Sequence, residues 1–371
     1  MKDINIYTYQ GDLGDSETII GFYIPNGVLQ ETPLTQGFSY YLDQIIFDAL
    51  YDNITDHNNG EIRTITNYGY SSFVVSCQPD KALENMKKME NIILCDVLPE
   101  DYEIRLPLKV PKSLQNKRIR PIEMRYYDCR CEGGLLSKSI CPESNTAPGL
   151  EELSRWKSQY YIADKCIVVI SGAVPRYFLN LPKYSQPGNH LPQIKAYDLC
   201  LPKHTPWRRT QLILSAYYDF SSEMILCAEA ACKWLEPQLA CALNNIGCRL
   251  DRVQIYPDYL SEWRLSMQCA SHRELDAVST ALDAFANVPN SEAELDVVRK
   301  RTRQGYLKLA QQPVKWNMFA GYNLISGCRY HLPSLLSEET YHEQITKPQI
   351  CRILSQWNKH QNFSIFATAI R

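Results

Sequence analysis

The sequence predicts an α+β chain of two similar domains, each an antiparallel-rich mixed sheet covered by helices. Three observations carry this. The order strand, helix, two strands, helices and closing strand occurs twice. A Pro-dense stretch, residues 175–208 with Pro175, Pro182, Pro187, Pro192, Pro202 and Pro206, separates the two runs and forbids long regular elements. The third is a local parallel: Ser71–Met89 and Glu262–Val278 each read as an alternating strand that ends at a Cys, with a helix opening a few residues on. The domains are therefore drawn at 1–174 and 209–371, with 175–208 as linker. A chain of 371 residues is long enough for two domains of roughly 150 to 200 residues.

In the first half, Glu17–Tyr23 reads as a strand closed by the turn Pro25-Asn26-Gly27. A helix follows over 36–51. Strands are expected at 61–69 and 72–77, with Phe73, Val75 and Cys77 on one face and Val74 and Ser76 on the other. Pro79-Asp80 opens a helix to about Met89, and the apolar run Asn91–Val97 fits either a continued helix or a short strand. Residues 99–148 read as irregular. Gly149–Tyr161 is helical, and the unbroken apolar run Cys166–Gly172 is a strand buried on both faces. In the second half, Thr210–Tyr218 is a strand. Ser221 and Ser222 cap a long helix ending near Gly247, and strands follow at 249–256 and 262–269. Ser271 with Glu274, and Ser291 with Glu294, are capping-box signatures. Helices at 314–326 and 346–358 lead to a last strand, Phe363–Ile370.

Composition narrows the function. With 39 basic and 41 acidic residues the net charge is −2, so neither nucleic acid nor an anionic membrane surface is indicated. The N-terminal residues carry no signal-peptide core, and there is no apolar run of about 18 residues to span a bilayer. The 14 cysteines then read as reduced thiols rather than a disulfide framework, and the expected location is cytoplasmic. Cys129, Cys131 and Cys141 are the one cysteine set spaced for a structural zinc, although strong sites show C-x-x-C twice.

The most informative stretch is Gln36–Leu50. Phe38, Tyr41, Leu42, Ile45, Ile46 and Ala49 form an apolar stripe. Tyr40, Asp43, Gln44 and Phe47 form a second, half-polar stripe expected to face a cleft or solvent. Zinc peptidases carry two metal ligands and a carboxylate base on such a stripe, at H-x-x-E-H spacing. Here the same places read Y-x-x-D-Q.

On these residues the chain resembles the pitrilysin/insulinase family of zinc peptidases, which includes the two mitochondrial processing peptidase subunits. Gly37 and Phe47 match the family's G-x-x-H-x-x-E-H-x-x-F helix. Tyr40 and Gln44 stand where the zinc-binding histidines would be, Asp43 where the base would be, and Asp96, after Asn91–Cys95, where the third ligand would be. The second domain departs as well. The family's L-R-E-x-x-G-x-x-Y reads Leu243–Leu250 here, with Gly247 kept, Asn244 for the Arg and Leu250 for the Tyr; Arg249 and Arg252 are neighbouring substitutes for substrate binding. A catalytic zinc needs about three ligands from His, Asp, Glu or Cys. Gln44 is a weak neutral donor, and a tyrosine would have to lose a proton with a pKa of about 10.

The resemblance implies one half-shell of a clam-like peptidase, with no cofactor in this chain. It implies a heterodimer with an active subunit that keeps H-x-x-E-H and supplies the zinc, acting on a peptide substrate. Two-subunit bacterial relatives remove leaders from ribosomally made peptides, as in subtilosin-type bacteriocin maturation. A free-standing peptide-binding or scaffold pseudoenzyme is the alternative, and a metal-free enzyme working through the remaining carboxylates is the third reading.

Overall fold

A computed structural model describes residues 4–10, 16–54, 61–95, 98, 121–131, 148–180, 191, 194–197, 199, 209–218, 224–257, 259–270, 272–327, 330–358 and 364–369. The chain divides into two compact units assembled from non-contiguous segments.

The first unit holds a five-stranded sheet of order β1-β5-β2-β4-β3. Its strands are β1 (Asn5–Gln10), β2 (Thr18–Ile24), β3 (Ile62–Thr66), β4 (Ser71–Cys77) and β5 (Ile167–Gly172). All pairings are antiparallel except β1 with β5. Helices α1 (Phe38–Ile54), α2 (Ala82–Leu94) and α4 (Leu150–Tyr160) share a core with Ile20, Phe22, Ile24, Phe73, Val75, Val168 and Ile170 on one face of the sheet. Phe73, Val75 and Cys77 do face this core. Strand β1 was not expected: as an edge strand it buries only Ile6 among its described side chains, with buried Ile4 just before it. The ambiguous run at 91–97 is helical to Leu94, because Met86, Met89 and Ile93 form one buried stripe.

The second unit holds a sheet of order β7-β8-β6-β9, from β6 (Arg209–Tyr217), β7 (Arg249–Tyr256), β8 (Glu262–Ala270) and β9 (Ser364–Ala369). The order β9-β6-β8-β7 reproduces β5-β2-β4-β3 with the same antiparallel pairings, so the predicted repeat is present in the topology. Its helices include α6 (Ile225–Asn245), α7 (Glu274–Ala284), α8 (Glu292–Ala310), α10 (Glu338–Gln344) and α11 (Lys347–Trp357). The capping box at α8 forms: the Glu294 N–H donates to Ser291 Oγ at 3.3 Å and the Ser291 N–H to Glu294 Oε2 at 3.1 Å. Ser221, Ser222 and Ser271 lie outside the described residues.

Each sheet is covered on its other face by a helix from elsewhere in the chain. Helix α9 (Pro313–Ile325) lies in the first unit and α3 (Pro121–Arg130) in the second. The contiguous ranges read from the sequence do not show this exchange. Helix α3 falls in a stretch read as irregular, and α5 (Arg176–Leu179) within the Pro-dense one. Covering both faces explains why β2 and β4 are buried at every position.

Polar side chains fix each covering helix. On α9, buried Asn317 accepts a bond from the Tyr23 hydroxyl at 2.8 Å on Oδ1. It donates from Nδ2 to the carbonyls of Ile19 and Val169 and to Ser171 Oγ. The approach is close: a Cβ on Gly21 would lie 2.2 Å from Asn317 Oδ1, and one on Gly321 2.1 Å from the Tyr23 ring. On α3, the Tyr126 hydroxyl bonds Glu262 Oε1 at 2.7 Å and Ser215 Oγ at 2.8 Å. Glu262, fully buried, also accepts from Arg130 Nε at 3.3 Å and Arg264 Nη2 at 2.5 Å. The Arg264 guanidinium stacks 3.8 Å from the Tyr256 ring centroid and 4.5 Å from that of Tyr126. This buried ion cluster is satisfied by hydrogen bonds, the condition under which charge is tolerated in a core.

Candidate functional site

Helix α1 is positioned by a carboxylate at its start. Buried Glu31 accepts bonds from the backbone N–H of Gly37 at 2.8 Å and of Ser39 at 2.9 Å. It satisfies two of the donors a helix N-terminus leaves open and sets a negative charge against the positive end of the dipole. Gly37, at φ 89°, makes the turn into the helix, a conformation glycine adopts without strain.

One turn on, Asp43 is fully buried. Its Oδ2 accepts from Ser71 Oγ at 2.6 Å and from Thr66 Oγ1 at 2.7 Å. Its Oδ1 accepts from the Tyr161 hydroxyl at 2.5 Å. These donors come from the end of β3, the start of β4 and the residue after α4, so the helix, both strands and the following chain converge on one carboxylate. Ser71 Oγ also lies 3.2 Å from the Asn26 carbonyl, and Asn26 Nδ2 donates to Ser39 Oγ at 3.3 Å. Burial raises the Asp43 pKa to about 7, against the lowering effect of the Ser71, Tyr161 and Thr66 hydroxyls and with a small raising effect from nearby Glu31.

The half-polar stripe is therefore not at the surface. Tyr40 and Asp43 are buried, and Gln44 and Phe47 are half-buried. The apolar stripe and this one are both covered, the second by β3, β4 and Tyr161. Asp43 is met in this pocket by the three hydroxyls. Tyr40 packs edge-on to Tyr41, with centroids 6.0 Å apart. Asp96 lies outside the described residues. Sequence reasoning missed Thr66, Ser71 and Tyr161. The available signal was a hydroxyl residue at each end of the β3–β4 connection, which says nothing by itself about which helix it meets.

In the second unit, α6 ends in a Schellman arrangement. Gly247, at φ 73°, donates to the Asn244 carbonyl at 3.0 Å, and the Cys248 N–H donates to the Leu243 carbonyl at 2.9 Å. Asn244, Arg249 and Arg252 are all exposed, the first at the helix end and the other two on the edge strand β7. Arg249 pairs with Asp251 at 3.2 Å. An irregularity between Leu250 and Arg252 changes which face the following residues take.

Of the three cysteines spaced for a metal, Cys129 is exposed, Cys131 is buried and bridged to Ala196, and Cys141 lies outside the described residues. Among the described residues, one trio of ligand-type atoms is grouped: Glu292, Asp296 and His342. The Arg299 guanidinium already binds Glu292, and Asp296 at 2.9 Å, and so occupies that site with positive charge. Also among the described residues, no helix is long and apolar enough to cross a membrane.

No family model matches the sequence, and no curated protein matches it. The fold, by contrast, is shared with solved structures. A protease from Helicobacter pylori superposes with a TM-score of 0.72 at 12% identity, over 99% of this chain and 97% of that one. A chain of complex III2 from Candida albicans gives 0.69 at 12% identity, over 99% and 94%. A peptidase M16 inactive domain from Pseudomonas fluorescens gives 0.65 at 14% identity, over 100% and 97%. At such identities the likeness is one of fold, and the fold is that of M16 peptidase structures.

Proposed function

We propose that this chain is a non-catalytic, peptidase-like subunit, completed by an active zinc-peptidase subunit in a cytoplasmic heterodimer and helping to hold a peptide substrate. The observation that carries the reading is Asp43. A catalytic base must reach a metal-bound water, but both oxygens of Asp43 are engaged by hydroxyl donors in a buried pocket. The donor set around it does not fit a catalytic zinc. Tyr40 and Gln44 offer a phenol and an amide where two imidazoles or thiolates are needed. Zinc, the base and the water belong in this reading to the partner, which keeps H-x-x-E-H.

This chain's contribution is binding surface. Among the described residues, β3 and β7 are the edge strands on the β4 and β8 side of their sheets, and an extended peptide can add to such an edge through backbone hydrogen bonds. Asn244, Arg249 and Arg252 are the side chains we assign to peptide contact. The leader of a ribosomally made peptide, as in bacteriocin maturation, is the proposed substrate class.

The test is co-expression with a relative carrying intact H-x-x-E-H, followed by co-purification, metal analysis and a peptide-cleavage assay. The expected result is a stable heterodimer with one zinc, held by the partner, and cleavage that needs both chains. Cleavage by this chain alone, or loss of a bound zinc on Asp43→Ala, overturns the proposal. A chain that stays alone and does not raise the relative's activity is instead a free-standing scaffold.

A further inference from the structure

Cys248 and Cys269 are both buried, at 3% and 4% exposure, and both are free thiols. In the β7–β8 ladder Arg249 pairs with Gln268. Carrying that antiparallel register one step toward the start of β7 sets Cys248 directly across from Cys269. Directly opposed residues in an antiparallel pair have Cα atoms about 4.5–5.5 Å apart, inside the 4.4–6.8 Å range that a disulfide spans. Each thiol lies near enough to perturb the ionisation of the other, and the Cys248 S–H donates to the Ile246 carbonyl at 3.9 Å.

The backbone is held on both sides. Cys269 lies inside β8, a strand paired on both edges. Cys248 is the residue whose N–H closes the Schellman motif on the Leu243 carbonyl. Closing a bond between the two sulfurs therefore needs side-chain rotation rather than movement of chain. Among the described residues the other buried thiols are placed differently: Cys227 and Cys232 lie on one helix at i, i+5, Cys77 ends β4, Cys166 precedes β5, which does not pair with β4, and Cys131 follows α3.

We propose that Cys248 and Cys269 are a redox modification site, converted by hydrogen peroxide to a cross-strand disulfide that ties the end of α6 and the start of β7 to β8. The steps balance. The Cys248 thiolate attacks the peroxide, the O–O bond breaks, and Cys248 becomes a sulfenic acid as hydroxide leaves. The Cys269 thiol then attacks the sulfenic sulfur, the S–S bond forms, and the sulfenic oxygen leaves as water. Two thiols and one peroxide give one disulfide and two waters, with two electrons transferred. Cys248 attacks first because Arg273 lies nearby and favours its thiolate, against the raising effects of burial and of Asp276. Burial raises both thiols, Cys269 to about 12, so the conversion is slow at neutral pH and faster in alkali.

The test uses the full chain. Hydrogen peroxide is added, free thiols are alkylated, and the protein is digested without reductant for mass spectrometry. The expected product is a linked peptide pair joining Cys248 to Cys269, two hydrogens lighter than the sum, formed in most chains and lost on adding dithiothreitol. Cys248→Ser should abolish the link and leave Cys269 alkylatable. In Cys269→Ser, oxidation should stop at a Cys248 sulfenic acid that dimedone labels, so each step is read in a separate variant. Recovery of both cysteines as alkylated, unlinked peptides after the exposed Cys241 has been oxidised overturns the proposal. Linkage of either cysteine to Cys241 overturns it equally.

Discussion

Asp43→Asn should remove most of one pH-dependent component of stability. In the folded protein the Asp43 pKa is raised from 3.8 to about 7 by burial. In the unfolded chain the side chain returns to about 3.9. The native state thus binds a proton through a window in which the unfolded state does not. The stability linked to this group is fully present below about pH 4 and is lost as pH rises through 7. Each pK unit is about 1.4 kcal/mol, so raising the pH from 5 to 8 should cost the wild type about 2.5 kcal/mol through this residue. Asparagine keeps the shape and an acceptor for a hydroxyl but does not titrate. The assay is urea unfolding of both proteins at pH 5 and pH 8. The wild-type loss between these pH values should exceed that of the variant by about 2.5 kcal/mol. Equal slopes would mean that Asp43 stays charged throughout, and the burial argument would fail.

Three further outcomes follow from packing and hydrogen bonding. Gly321→Ala drives a methyl group to 2.1 Å from the Tyr23 ring, which Asn317 holds in place, so stability should fall by the upper end of the roughly 1–3 kcal/mol typical of overpacking. Gly247→Ala meets nothing within 4 Å and carries only the φ 73° penalty, about 1–2 kcal/mol; thermal denaturation should rank Gly321→Ala as the more damaging, and the reverse order refutes the close approach of α9. Tyr126→Phe removes the hydroxyl between Glu262 and Ser215 and should cost about 1–2 kcal/mol in urea unfolding, while an unchanged midpoint would show that Arg130 and Arg264 satisfy Glu262 alone.

Much of the fold was legible because period and punctuation agree with burial. The alternation in Ser71–Cys77 gave both faces of β4, and the unbroken run Cys166–Gly172 gave a strand covered on both sides. Strand β1 was not legible, since a parallel edge strand with one buried isoleucine carries little periodic signal. Nor was the exchange of α9 and α3. An apolar stripe on a helix states that it is covered but not by which sheet, and Asn317 reads as an ordinary polar residue until Gly21 and Tyr23 are beside it. The site was legible only as a set of substitutions. That Tyr40 and Gln44 offer a phenol and an amide, poor donors for a catalytic zinc, follows from their side chains. That Asp43 faces neither cleft nor solvent depends on Thr66, Ser71 and Tyr161, which are 23, 28 and 118 residues away in sequence.

The second unit shows that this treatment of an acid is not particular to α1. Glu229, near the start of α6, the counterpart of α1 in the repeat, accepts from the Tyr306 hydroxyl at 2.5 Å and the Tyr330 hydroxyl at 2.6 Å. Its pKa is also raised by burial, against the lowering effect of those two hydroxyls. The sign is that of Asp43: the linked stability is present below the unfolded carboxylate range and is lost as pH rises through the folded value. The two acids bond different hydroxyls, Asp43 those of Thr66, Ser71 and Tyr161 and Glu229 those of Tyr306 and Tyr330, so their linkages should add. Glu229→Gln should flatten the pH dependence independently, and the double variant Asp43→Asn/Glu229→Gln should show the sum of the two effects to within about 0.5 kcal/mol. Urea unfolding of the four proteins at pH 5 and pH 8 closes the cycle. An effect of Glu229→Gln that disappears in the Asp43→Asn background would mean that one proton is shared between the two acids, and that neither is held by its own hydroxyls alone.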